Sequence, residues 1–311
     1  MTARRLDGAT LARRIREELQ HDVSAFTTGA GRAPALAIVL VGDDPASHVY
    51  VRNKDKAGSE AGLRVDVRRL PADTSLAALL ALVASLNADP AVDGILVQSP
   101  LPAAMGPTAE QQVFDAIDPA KDVDGFHPAN VGLLVQGRAR LAPCTPTGVM
   151  VLLEREGIAL AGARAVVIGR SDIVGKPMAL MLLHAHATVT VCHSRTRDLP
   201  DITRQADVLV AAIGRPGFVT PDMVRPGAAV VDVGTTPIAD RGRVIALFGE
   251  DSPRVEAFDR RGSTVVGDVH PAVAEVAGAM TPVPGGVGPL TIAMLLRNTL
   301  RAAEARAAVL R

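Results

Sequence analysis

The chain has 311 residues, 48% of them apolar and 21% charged, with 33 basic side chains against 33 acidic ones. That length suggests two domains, each able to bury its own core, and a net charge of zero gives no electrostatic case for nucleic acid or an anionic membrane. Two cysteines, Cys144 and Cys192, are too few for a disulfide framework and suit a reducing cytosol, and no apolar run reaches the length of a membrane span.

The first twenty residues carry basic side chains with no apolar run behind them, so they do not read as a signal peptide, and the expected location is cytoplasmic. Short apolar runs then alternate with helical patterns, the mark of parallel α/β sheets. In the first half, strands are expected at 35–41, 65–70 and 93–97, with helices at 46–61 and 74–88. The Pro-, Gly- and Asp-rich stretch DPAKDVDGFHPANVG follows and reads as loop. The second half gives strands at 164–169, 188–193, 207–214, 228–234 and 264–269, a helix at 174–186 and a helical tail from 288 to 311. This pattern predicts two domains, one of 1–121 joined by 286–311, and a nucleotide-binding one of 145–281.

Within the first helix, Tyr50 is the only tyrosine of the chain and Lys54 is one of four lysines set against 29 arginines. The two lie at i and i+4 on one helix face, and Ser47 continues the stripe. A lysine can exchange its proton where an arginine stays charged, so the pair is a candidate acid/base unit, against the blander reading of a solvated helix face. The other lysines (Lys56, Lys121, Lys176) also fall in stretches that read as sites. Gln98 ends the strand 93–97, where open α/β sheets bind ligands, although a plain edge residue fits as well. Asp122 and Asp124 stand two apart, but no further metal ligands appear at suitable spacing, so no metal is expected. Asp124 is better read as an acceptor for ring N–H groups, and His127 as structural.

AVVIGRSDIVGKP places Gly169 directly after a strand and Gly175 where a helix begins, which suits a phosphate-cradling turn even without G-x-G-x-x-G. The next strand runs into Cys192-His193-Ser194-Arg195-Thr196-Arg197 with no carboxylate before Asp198. Hydroxyls and arginines there, with Arg170 in the turn, favour NADP over NAD. TPVPGGVGP (281–289) is rigid and glycine-rich, and would let a flat ligand approach the backbone.

Taken together, SHVYVRNKDKAGSEAGL, DGILVQSPLP, KDVDGFHPANVG, PCTPTG, GRSDIVGKP, ATVTVCHSRT, VVGDV and TPVPGGVGP resemble the bifunctional methylenetetrahydrofolate dehydrogenase/methenyltetrahydrofolate cyclohydrolase family. The resemblance implies two α/β domains, the second a Rossmann-like NADP-binding parallel sheet, with the active-site cleft between them, in a cytoplasmic homodimer joined through the cofactor domain. It also implies a place in tetrahydrofolate interconversion, feeding purine, methionine and histidine biosynthesis. By residue, it makes Lys54 the catalytic lysine, Tyr50 the ring that orients the folate, Gln98 the partner that tunes the lysine, and Asp124 the anchor of the pterin. Pro282, Val283, Pro284, Gly285 and Gly286 would line the folate side. Gly169, Arg170 and Ser171 would contact the cofactor phosphates, Ser194 the ribose phosphate, and Thr235 the nicotinamide end.

Three departures stand out. Thr235-Thr236 replaces the usual Ile-Asn, Ser99 replaces a common leucine, and 237–263 reads as a charged insertion. That insertion is expected to be a surface excursion, replaceable by a short turn because loop-closure entropy grows slowly with length, with one apolar run, Val244–Phe248, able to pack locally or add a strand. The rival reading is that it closes over NADP near Thr235 or extends the dimer contact. The short-chain dehydrogenases share Tyr-x-x-x-Lys but place it after the cofactor turn, whereas here it comes first. A non-catalytic folate- or nucleotide-binding protein on the same scaffold would be marked by loss of the lysine or glutamine, and both are present.

Overall fold

The computed structural model describes residues 2–309, and the chain divides into two compact units, Ala12–Cys144 with Thr291–Arg311 and Met1–Leu11 with Thr145–Leu290. Met1 and residues 310–311, the ends of the expected first domain, lie outside the described residues.

The first of these units is built on a parallel three-stranded sheet with Ala35–Val41 at its centre, flanked by Arg64–Leu70 and Gly94–Val97. Every residue of the central strand is buried, as expected for a continuous apolar run covered on both faces. Ile95 and Asp122 form a further parallel bridge, so the chain just before Asp124 extends this sheet by one contact. Helix Pro45–Glu60 begins as the sequence allows: the Asp44 side chain accepts the Ser47 N–H at 2.7 Å, and Pro45 occupies the first turn, where its missing N–H costs nothing. Gly58 lets that helix lie against the sheet, since a Cβ there would stand 2.6 Å from Val65 Cγ2. The stretch expected to be loop is helical in its last part, Pro128–Val135, with the His127 ring capping the start by accepting the Ala129 N–H at 3.0 Å.

The second unit carries a parallel six-stranded sheet in the order Arg4–Arg5, Ala279–Met280, Ala229–Asp232, Val208–Ala211, Arg164–Ile168, Thr188–Cys192. One strand comes from outside the expected range, and another, Ala279–Met280, is not among the expected strands. Arg4–Arg5 pairs with Ala279–Met280, which moves residues 1–11 out of the first domain and into this one. The reason is close packing: a Cβ on Gly8 would stand 1.9 Å from the Gly286 carbonyl oxygen, and the Ala9 N–H bonds the Gly285 carbonyl at 2.8 Å. Conversely, 122–144 belongs with the three-stranded unit. The apolar run from 264 is not a strand of the main sheet. Thr264–Val266 pairs antiparallel with Thr236–Ile238 in a ribbon of its own.

The charged stretch 237–263 is also more than a loop. It contains helices Arg241–Phe248 and Pro253–Arg261, capped by Asp240 and Ser252, and these close a small core of Ile238, Val244, Val255, Phe258 and Val266. The apolar run Val244–Phe248 does pack locally, as helix rather than strand, while the contributions of Val255 and Phe258 are not legible among the arginines. Both cysteines are free and buried, and among the described residues no helix is long and apolar enough to cross a membrane.

The four lysines do not share one role. Lys56 is an exposed partner of Glu60 at 3.8 Å, and Lys176 pairs with Asp172 on the surface. Lys121 is buried and its amine donates to the carbonyls of Leu86, Asn87 and Asp89 at 2.9, 2.7 and 2.7 Å, satisfying the end of helix Leu76–Ala88. Lys121→Met should therefore lower unfolding stability by about 2–4 kcal/mol in denaturant titration, because it takes the amine from three carbonyls, of which that of Asp89 keeps the Val92 N–H at 3.2 Å. Lys56→Met should change it by less than about 0.5 kcal/mol. Equal effects would contradict the capping role of Lys121.

Candidate functional site

Helix Pro45–Glu60 presents Ser47, Tyr50 and Lys54 as a graded stripe: Ser47 is buried, Lys54 half-buried and Tyr50 41% exposed. The Lys54 Nζ donates to Gln98 Oε1 at 3.0 Å. Gln98 follows directly on strand Gly94–Val97, with its own N–H on the Val39 carbonyl at 2.8 Å and its Nε2 donating to the Ser99 carbonyl at 2.6 Å. With both ends of the amide engaged, its oxygen is fixed toward the lysine.

Asp124 comes into this neighbourhood through a turn that Asp122 organises. The buried Asp122 carboxylate accepts N–H groups from Gly125 at 3.0 Å and His127 at 2.8 Å, and the Asn130 amide at 2.8 Å. This is a structural task, and it explains the two carboxylates at i and i+2 without a metal. Burial pushes Asp124 up to about 6, with the Lys54 charge pulling the other way and Asp122 adding to the rise. Cys144 lies in the same electrostatic environment: burial and Asp124 push its thiol well up, and its Sγ bonds the Val123 carbonyl at 3.2 Å. Asn298 ties this corner together by donating to Val123 and Ala142, both at 2.9 Å. Sequence reasoning singled out neither Cys144 nor Asn298 for the site, because only folding brings 144 and 298 beside 123.

In the six-stranded unit, Gly169 ends strand Arg164–Ile168 with φ +127°, and a Cβ there would stand 2.2 Å from the Ala212 carbonyl oxygen. A Cβ on Gly175 would stand 2.4 Å from the Gly169 oxygen. Both glycines are thus required by close backbone approach. The turn between them is set by the Ser171 hydroxyl, which accepts the Val174 and Gly175 N–H groups at 3.3 and 3.2 Å at the start of helix Gly175–His184.

Beside this turn, at the carboxyl ends of three strands, is a cavity of about 520 Å³ that includes Gly169, Arg170, Ser194 and Arg215 in its lining. Two arginines and no carboxylate line it, which fits a nucleotide bearing a ribose phosphate. Neither Ser171 nor Thr235 is among its lining residues. Thr235 is exposed just beyond strand Ala229–Asp232, and Thr236 opens the ribbon with its backbone paired to Val266. His193 and Thr196, from the stretch expected to meet the ribose phosphate, line it too, while Arg215 and Phe218 join the lining without having been singled out, although Gly214 directly after an apolar run was a signal for a second close turn. Arg215 lies over the Phe218 ring at 4.4 Å.

A buried carboxylate holds that second turn. Asp268 accepts N–H groups from Ile213 at 2.7 Å, Gly214 at 3.1 Å and Arg215 at 2.6 Å. Its own N–H is bonded by Asp232 at 2.8 Å, and Asp232 also accepts from Val269 and Gly234. Burial pushes Asp232 up to about 7 against those bonds. Pro282–Gly286 lies in this unit too, packed on the N-terminal segment, with Gly285 at φ +100°.

The description "tetrahydrofolate dehydrogenase/cyclohydrolase, catalytic domain" matches residues 6–124, and its NAD(P)-binding counterpart matches 143–307. The chain belongs to the tetrahydrofolate dehydrogenase/cyclohydrolase family. A bifunctional protein FolD from Koribacter versatilis is 54% identical over 306 residues, covering 98% of each chain, and one from Acidiphilium cryptum is 55% identical over 307 residues, covering 98% of this chain and all of the other. Among solved structures, the Trypanosoma brucei methylenetetrahydrofolate dehydrogenase-cyclohydrolase complexed with NADP cofactor and inhibitor superposes with TM-score 0.88 at 39% identity, over 99% of each chain. The Campylobacter jejuni bifunctional enzyme FolD gives TM-score 0.85 at 45% identity, over 97% of this chain and 98% of the other. Within this family frame, the lysine–glutamine contact and the two-glycine turn are the features that the sequence segments carrying the resemblance build.

The raised Asp124 carboxyl has a consequence for stability. Between its ordinary value near 3.8 and about 6, the native carboxyl keeps a proton that the unfolded chain has released. Stability should therefore fall as pH rises through that window, and Asp232, raised to about 7, should carry the fall somewhat further. Asp124→Asn should flatten this part of the profile, as measured by denaturant unfolding from pH 4 to 7. An identical slope in the variant would place the titration elsewhere.

Proposed function

We propose that this chain oxidises methylenetetrahydrofolate with NADP and hydrolyses the resulting methenyltetrahydrofolate to formyltetrahydrofolate, with Lys54 as the acid/base group of the hydrolysis. The observation that carries the assignment to Lys54 is the 3.0 Å contact from its Nζ to Gln98 Oε1, which fixes one N–H direction and leaves the remaining valences of the amine for a ligand. Tyr50, exposed one turn away, offers its ring face to the folate. Asp124 is ionised for most molecules above about pH 6 and accepts N–H groups of the pterin. NADP, when bound, supplies the hydride acceptor. Gly169, Arg170 and Ser171 hold its phosphates, Ser194 the ribose phosphate and Thr235 the nicotinamide end, while Pro282–Gly286 lines the folate.

In the hydrolysis, water adds to the methenyl carbon and loses one proton; the carbon–nitrogen bond to the ring then breaks as the carbonyl forms, the hydroxyl proton passing to that ring nitrogen, to leave the formyl group. Lys54 moves that proton, and Gln98 orients it. The wider proposal places the reaction in the cytoplasm, in one-carbon supply to purine, methionine and histidine biosynthesis. It also makes the molecule a homodimer through the six-stranded unit, where exposed Leu183 and Val191, on and beside the edge strand Thr188–Cys192, support an apolar contact.

Lys54→Arg keeps the charge but not an exchangeable amine, so hydrolysis of methenyltetrahydrofolate should fall by about 10²-fold or more. A rate near that of the unaltered protein, followed by loss of the methenyl absorbance, would remove Lys54 from the reaction. Ser194→Asp should repel the ribose phosphate and weaken NADP by about 1–3 kcal/mol in a binding titration, with NAD affected far less. Equal affinity for NADP in both proteins would put the phosphate elsewhere.

A further inference from the structure

We propose that Arg254, from the insertion 237–263, is a positioning residue for the Pro282–Gly286 loop, and that the insertion thereby sets affinity for the folate substrate. This inference rests on the reading of that loop as folate-lining.

The loop can supply few backbone bonds of its own beyond the turn at 283–285. Pro282 and Pro284 have no N–H to donate, so two of the first three residues are acceptors only. Its fixed points come from outside it: the Ala9 N–H on the Gly285 carbonyl at 2.8 Å, and Arg254 Nη2 on the Val283 carbonyl at 2.7 Å. The same Nη2 donates to the Val265 carbonyl at 2.7 Å. Val265 stands opposite Pro237 in the antiparallel ribbon, between the pairs Thr264–Ile238 and Val266–Thr236, so its carbonyl faces away from the partner strand. One guanidinium nitrogen thus bridges the ribbon to the loop.

The guanidinium is itself held in place. Its carbon lies 4.8 Å from the centroid of the Phe248 ring, on the other helix of the insertion, and Arg254 is half-buried and, among the described residues, makes no ion pair. A half-buried cation without an acid is unfavourable unless carbonyls and a ring face take its place, and these do so here. Arg254, Phe248, Val283 and Pro284 also share the wall of a cavity of about 410 Å³ with Arg5 and Asp232. The stretch that reads as a surface excursion therefore reaches the loop through one side chain with two defined bonds.

Arg254→Met keeps most of the stem and removes both donors. It should raise KM for methenyltetrahydrofolate in the hydrolysis, which uses no NADP, by about five- to tenfold, with the NADP dissociation constant changed less than about twofold. Arg254→Lys keeps one donor but not the planar fork, so its KM should fall between the two, and it carries the test if the Met variant does not fold. A lowered melting temperature with an unchanged folate KM would make Arg254 merely structural and overturn the proposal. Gly285→Ala, which strains the loop directly, separates the two readings. If it raises folate KM while the Arg254 variants do not, the coupling through Arg254 is wrong. If none of these variants moves folate KM, the loop does not line the folate, and the proposal falls with that reading.

Discussion

Buried carboxylates that satisfy loop N–H groups are the constraint on which both units depend. A close turn at the end of a strand leaves backbone donors without a ladder partner, and leaving them bare in the interior costs more than a hydrogen bond returns. Asp122 answers this for the turn that carries Asp124, Asp268 for the turn at Ile213–Arg215, and Asp232 for the chain at Gly234 and Asp268–Val269. Each of these aspartates is fully or almost fully buried. The groups facing the proposed ligands, Asp124, Arg215 and Ser194, are then free to act because others have taken the structural load.

The same division explains why the residues fall where they do along the strands. Gln98, Gly169 and Arg215 lie past the carboxyl ends of parallel strands, where the backbone leaves the sheet and side chains can face a ligand. In the three-stranded unit the result is an amine oriented by an amide beside a carboxyl raised by burial. In the six-stranded unit it is a glycine turn and two arginines around a cavity. One set suits proton movement and the other suits phosphate binding, which is the pairing a bifunctional dehydrogenase/cyclohydrolase needs.

The insertion shows how charge conceals structure. Residues 237–263 are rich in arginine and acids, and exposed pairs such as Arg241 with Asp259 contribute little in water. Its order comes instead from a handful of apolar side chains and from caps at Asp240 and Ser252. Arg254 then does something a composition count cannot register. Half-buried against Phe248, it serves the carbonyls of Val265 and Val283.

By itself the sequence determined the parallel α/β class, the runs at 35–41, 65–70, 164–169 and 188–193, the helix carrying Tyr50 and Lys54, the Gly169–Gly175 turn and the absence of a carboxylate after strand 188–192. These are local matters, since periodicity, a missing Cβ or a missing charge is written in neighbouring residues. Tertiary structure alone decided that Arg4–Arg5 joins the sheet of the other unit, that Thr264–Val266 leaves it for a ribbon, and that Lys121 caps a helix rather than serving a site. It also brought Asp268 to the turn at 213–215 and Arg254 to Val283, contacts between residues 53–55 and 29 apart. Hydrogen-bond satisfaction across such separations depends on where loops end in space, and no local pattern encodes that.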